Sequence, residues 1–189
     1  MREAGVLMPV SALPSRVGAG ELGESAFHFI ELLKKNHVRI WQILPLNPVG
    51  YGNSPYQPYS SCAGDDIYIS LDTLAEEGLL KKSPMLFLEK CKKVDYERVR
   101  QYREPYLRAA FMAFVEQKGY EKPEYKEFAA QSWVYEYGVF RALKKANNGA
   151  CWNEWPEEDR TWPENRHVLD TEAEAEARYQ MFLQYIFYT

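Results

Sequence analysis

The segment best equipped for chemistry is Gly50-Tyr51-Gly52-Asn53-Ser54-Pro55-Tyr56-Gln57-Pro58-Tyr59-Ser60. It combines aromatic faces with amides and hydroxyls that hydrogen-bond polyols, and it carries no charge. Gly and Pro restrict its backbone. A rigid, aromatic, uncharged loop suits a neutral, hydroxyl-rich ligand; the same composition also serves a structured surface loop.

Other chemical patterns are weaker. Gly18-Ala19-Gly20-Glu21-Leu22-Gly23 has the spacing of a dinucleotide fingerprint. That motif needs its glycines directly after a strand and an acidic residue at the end of the next one. The second strand here ends Leu44-Pro45-Leu46-Asn47, so the glycines are read as turning the chain into a helix. His28, His37 and His167 share no metal spacing, and no metal or cofactor is expected. No Ser sits in a nucleophile elbow. Asp65 and Asp66 are adjacent; in an extended chain they point to opposite faces, which suits a turn and strand start better than a catalytic pair.

The elements that must position these residues follow from periodicity. Gly5–Val10 is a continuous apolar run, the pattern of a parallel strand buried on both faces. A helix over Glu24–Asn36 presents Ala26, Phe29, Ile30 and Leu33 on one face. Val38–Leu44 is a second strand, closed by Pro45. Together they make one βαβ unit. The polar loop lies beyond the second strand, where α/β folds place ligand sites. Asp66–Leu71 is expected to be a short strand and Leu74–Leu80 a short helix. Helices are expected over Glu104–Gln117 with Pro105 in its first turn, Glu124–Gln131, Trp133–Ala146 and Thr171 onward.

Composition narrows the class. The 189 residues carry a net charge of −4, which gives no basic footprint for nucleic acid, and no apolar stretch reaches membrane-spanning length. Fourteen Tyr and five Trp are many for this length. Cys62, Cys91 and Cys151 form no disulfide framework, are expected buried or half-buried, and fit a cytoplasmic location. Two strands cannot cover their own faces and edges, and the last helix ends on the apolar run Met181–Tyr188. The chain is therefore expected to be a truncated piece that self-associates when isolated.

Several segments resemble the amylomaltase (4-α-glucanotransferase) family. Gly5–Ser15 looks like its first barrel strand, and Trp41–Leu46 followed by Gly50–Gln57 like its second strand and glucan-binding loop. Asp95–Val99, Trp152–Pro156 and Phe182–Tyr185 are similar in the same order. The resemblance implies an α/β fold, the first two parallel strands of a (β/α)8 barrel followed by a mainly helical inserted subdomain. Residues 1–61 would form the first βαβ unit and loop, 62–170 the insert, and 171–189 the start of a returning helix. It also implies transfer of α-1,4-glucan segments between maltodextrins with retention of configuration. An Asp nucleophile and a Glu acid/base would stand about 5–5.5 Å apart, with a second Asp steadying the distorted sugar. No acidic residue here matches those positions, so no catalytic residue is expected in this chain. Tyr51, Ser54 and Tyr56 match residues that contact glucan, with Asn53 and Gln57 as polar neighbours. Gly64-Asp65-Asp66-Ile67 departs from a common Gly-Asn-Pro-like step. A non-catalytic glucan-binding module and a ligand-free structural fragment are the alternatives.

Overall fold

The first apolar run forms β1 (Gly5–Leu7) and stops before Pro9, which has no N–H for the ladder. A turn-rich passage leads into α1 (Glu24–Lys35). This helix ends in a Schellman-type turn: the His37 N–H donates to the Lys34 carbonyl at 3.1 Å and the Val38 N–H to the Leu33 carbonyl at 2.9 Å. His37 itself adopts a φ of 56°, so its place is structural. The chain then enters β2 (Ile40–Gln42), parallel to β1, with Gly5 opposite Ile40 and Leu7 opposite Gln42. This computed structural model describes residues 3–81 and 93–189.

The βαβ unit stands, with shorter strands than the periodicity predicts. Burial on both faces is not met by the described residues. Leu7 and Ile40 on the strands are exposed, as are Phe27, Ile30 and Leu32 on α1. On α1 only Ala26 and Leu33 are buried, and Phe29 meets Trp41 of β2 edge-to-face at 5.0 Å.

Two compact units are present, Met1–Gln117 and Lys118–Thr189. In the first, Asp66–Tyr68 is a 3-10 turn and not a strand, because the Asp65 side chain accepts the Ile67 N–H at 3.1 Å and closes the turn. Ile69 still makes a single parallel bridge to Leu22. α2 (Leu71–Glu76) starts at Ser70, whose hydroxyl accepts the Thr73 N–H, and ends through Gly78 at a φ of 75°. α3 (Tyr96–Glu116) begins eight residues before the expected Glu104. Asp95 caps it, accepting the Arg98 N–H at 3.1 Å. Pro105 therefore lies inside the helix and removes one internal bond, a cost of about 3 kcal/mol or more. Burial of Val99, Leu107, Ala110 and Phe114 along one stripe offsets it.

The second unit is helical: α4 (Pro123–Ala129), α5 (Ser132–Ala146), α6 (Glu157–Arg160), α7 (Trp162–Asn165) and α8 (Thr171–Tyr188). Gly138 lets α5 approach α8; a Cβ there would lie 2.8 Å from the Ala177 carbonyl oxygen. Val139, Ala142, Leu143, Trp155, Trp162 and Ala177 form its core. The apolar end of α8 finds partners within the unit, since Tyr185 packs on Tyr125 and Phe128, and Tyr188 on Trp133. Phe182 and Leu183 are buried. Among the described residues no helix is long and apolar enough to cross a membrane.

Candidate functional site

The polar loop beyond β2 is closed at its base like a small hairpin. Val49 and Pro58 form an antiparallel bridge, the Gly50 N–H donates to the Gln57 carbonyl at 3.1 Å, and the Tyr59 N–H to the Pro48 carbonyl at 2.9 Å. The approach is tight: a Cβ on Gly50 would stand 3.0 Å from the Gln57 oxygen and 3.3 Å from the Tyr59 ring. At the tip, Tyr51–Asn53 makes a 3-10 turn that passes through left-handed backbone at Gly52 and Asn53. Gly supplies that conformation without strain, and Asn tolerates it better than most residues.

This geometry gathers the expected binding residues on one loop. Tyr56 is 72% exposed, and its N–H donates to the Ser54 hydroxyl at 3.4 Å. Ser54 is half-buried and its carbonyl accepts the Gln57 N–H at 3.1 Å; Asn53 and Gln57 are exposed. The Tyr51 backbone opens the tip turn, while its side chain lies outside the description. The Tyr56 ring is thus held in the open by bonded backbone.

What holds the loop was missed from sequence. Asp65 is 2% exposed and acts as a hub. Its carboxylate accepts the Val49 N–H at 3.4 Å and the Ile67 N–H at 3.1 Å, and its own N–H donates to the Leu46 carbonyl at 2.8 Å. Arg100, from α3, grips Asp65 through both terminal nitrogens, at 2.7 and 2.6 Å, and reaches Asp66 at 3.0 Å. The two carboxylates thus converge on one guanidinium. Opposite-face pointing fails because the 3-10 turn curls the backbone there. A fork of this kind matches a carboxylate bidentately, which fixes direction as well as distance. The signal was present as Arg100 and Arg103 in the helix after Asp95, one turn apart.

Arg103 is buried deeper still. It pairs with Glu21 at 2.9 Å, donates to the Ile69 carbonyl, and its Nε has no partner among the described residues. Glu21 also accepts the Ser70 hydroxyl at 3.3 Å. These contacts dispose of the nucleotide reading. A Cβ on Gly20 would fall 2.0 Å from the Val10 carbonyl oxygen, and one on Gly23 would fall 2.6 Å from Ser70 Oγ. The glycines serve packing, and a carboxylate already occupies the approach to α1. Nearby, burial above all, then the charge of Asp65, pushes the Tyr68 phenol up to about 12.

The remaining candidates are dispersed. His28 is exposed, and His167 sits 3.7 Å from Asp159. Among the described residues no group of three or more His, Cys, Asp or Glu could hold a metal. Cys62 and Cys151 are exposed, against expectation, because both fall in loops outside the packed stripes. Cys91 lies outside the described residues.

A βαβ unit whose second strand runs into a braced, tyrosine-bearing loop is the repeating unit of α/β folds, barrels among them, with the loop at the strand's C-terminal end. The model of one protein family, described as 4-alpha-glucanotransferase, matches residues 8–189, and the chain belongs to that family. A 4-alpha-glucanotransferase of Synechocystis sp. is 39% identical over 98% of this chain and 38% of its own length. One from Thermus thermophilus is 37% identical over 99% of this chain and 38% of its own. The chain thus spans well under half the length of these relatives. Among solved structures, an amylomaltase from Streptococcus agalactiae in complex with acarbose superposes with a TM-score of 0.85 at 27% identity, covering all of this chain and 39% of that one. The fold is that of the first two barrel strands of this family followed by a mainly helical region.

Proposed function

We propose that the protein carrying this chain is a 4-α-glucanotransferase, moving α-1,4-glucan segments between maltodextrins, and that this chain supplies glucan-binding side chains and no catalytic carboxylate. The observation that carries the reading is Tyr56, 72% exposed on a loop whose base is bonded on both sides. A fixed aromatic face lowers the ordering cost of gripping a sugar ring. Asn53 and Gln57 offer amide donors and acceptors to its hydroxyls. Asp65 and Asp66 are poor candidates for acid or nucleophile: Asp65 is 2% exposed with both carboxylate oxygens held by Arg100, and Asp66 shares that guanidinium. In the family's retaining mechanism the nucleophile and the acid/base are then provided outside these residues. Binding residues hold the acceptor so that it, and not water, completes the second step.

The test is Tyr56→Ala in the protein expressed from its complete reading frame, with the 189-residue chain assayed beside it. Loss of one aromatic contact of about 1–2 kcal/mol predicts a roughly 5–30-fold fall in kcat/KM for maltotriose disproportionation, at unchanged Tm. The 189-residue chain is expected to release no glucose. Unaltered kinetics in Tyr56→Ala would make the tyrosine structural, and sustained glucose release by the chain itself would place the chemistry inside it.

A further inference from the structure

The helical unit has a second concave site. A pocket of about 310 Å³ opens between α5 and the loop and short helices that follow it. This volume is at the small end of the range for ligand pockets, enough for a short segment of a chain molecule. Its inner surface is aromatic: Phe140 and Trp155 lie with ring centroids 5.7 Å apart, beside Trp162. Trp155 and Trp162 donate their indole N–H groups to the Ala150 and His167 carbonyls at 3.0 and 3.1 Å, so both rings are fixed. Trp152 stands at the rim and is 57% exposed.

The rim chemistry selects the occupant. Four charged side chains among the described residues line the pocket: Glu136 is paired with Arg166 at 2.6 Å and Asp159 accepts from Asn147 at 2.8 Å, which leaves the exposed Arg160 and Glu164 to face an occupant. A guanidinium only donates hydrogen bonds and a carboxylate only accepts them. A hydroxyl answers both, whereas an anion would meet Glu164 and a cation Arg160. A flat apolar face to lie on indole, with hydroxyls at its edge, describes a neutral sugar ring.

We propose that this pocket, with Trp152 as its stacking face, binds a short stretch of α-1,4-glucan. The identity of the sugar rests on the glucanotransferase reading; the class of ligand rests on the pocket. Because Trp152 is mostly exposed, its removal leaves the core of Trp155 and Trp162 intact.

The probe is β-cyclodextrin, a closed ring of α-1,4-linked glucose that offers no chain end for transfer. Binding is measured on the complete protein in a Tyr56→Ala background, which weakens the loop's share of the binding. Trp152→Ala is expected to weaken the remaining binding at least tenfold, and Trp152→Tyr to restore most of it. Equal binding with and without Trp152, or no remaining binding once Tyr56 is gone, overturns the proposal and leaves the glucanotransferase reading standing. Should Trp152→Ala fail to fold, the protein labelled with 5-fluorotryptophan decides. A Trp152 resonance, assigned through Trp152→Phe, that moves on titration with β-cyclodextrin supports the site; one that stays still overturns it. Absence of maltotriose transfer by the unaltered protein would sink the glucanotransferase reading, and the fluorine titration would judge the pocket separately.

Discussion

Replacing Arg100 by Met tests whether the loop is held by the α3 clamp. The guanidinium makes two bonds to Asp65, at 2.7 and 2.6 Å, and one to Asp66 at 3.0 Å. Without it, a carboxylate 2% exposed keeps only the amides of Val49 and Ile67. Stranding a buried charge costs about 3–5 kcal/mol; the Arg100 side chain is itself 28% exposed, so the low end, about 3 kcal/mol, applies. Asp65→Asn should be milder, at about 1–2 kcal/mol, because Arg100 then turns to Asp66 and water while the amide oxygen still accepts one N–H. Hydrogen exchange read on peptides covering 46–60 and 63–70 measures the opening directly. At about 1.4 kcal/mol per factor of ten, Arg100→Met should speed exchange in both peptides by roughly 100-fold, and Asp65→Asn by roughly 5–30-fold. Exchange within twofold of the parent for Arg100→Met would mean that water already solvates Asp65, and the hub reasoning would fail.

Two further outcomes follow from the same unit. Tyr68 is pushed up to about 12, above the ordinary phenol value of about 10, so the folded state keeps its proton where the unfolded chain has lost it. Its contribution is therefore complete below about pH 10 and declines as pH rises toward 12; Tyr68→Phe should flatten that part of a urea-midpoint profile, and an unchanged slope would exclude Tyr68 as the source. The exposed Leu7, Phe27, Ile30, Leu32 and Ile40 predict that the isolated 189-residue chain self-associates, which sedimentation equilibrium reads as a mass above 22.1 kDa; a monomer at all concentrations would contradict it.

The βαβ unit and the tyrosine loop were legible because each is coded locally. Apolar runs, helical spacing and the Gly/Pro/Tyr composition of 50–60 all lie within a few residues of the structures they make. α3 was legible only in part: Asp95 is an ordinary cap signal, but Pro105 drew the expected start to Glu104, since the stripe Val99, Leu107, Ala110 and Phe114 outweighs one lost bond only once packed. The hub escaped altogether. Arg100 and Asp65 are 35 residues apart, and no local pattern says that the one will close on the other. The same holds for Gly20 and Gly23. Their spacing looked like phosphate chemistry, while their reason is the Val10 carbonyl and Ser70 hydroxyl pressed against them.

Exposed apolar surface in this chain has two physical meanings, and the anchoring around each separates them. Tyr56 projects from a loop tied by backbone bonds and by a bidentate ion pair at its base, so its exposure is maintained against the tendency of an aromatic ring to bury itself. Trp152 is likewise exposed beside rings whose own N–H groups are committed, which leaves it unable to join them without breaking those bonds. Leu7, Ile40, Phe27, Ile30 and Leu32 have no such polar bracing; they lie on regular strand and helix faces, where coverage by another packed element is the stable solution. A single ring fixed in the open by polar anchors is a contact for a small ligand, whereas a continuous apolar face on regular structure calls for more protein. The first argument supports the proposed sugar contacts of Tyr56 and Trp152, and the second calls for further packed structure over the outer faces of the βαβ unit.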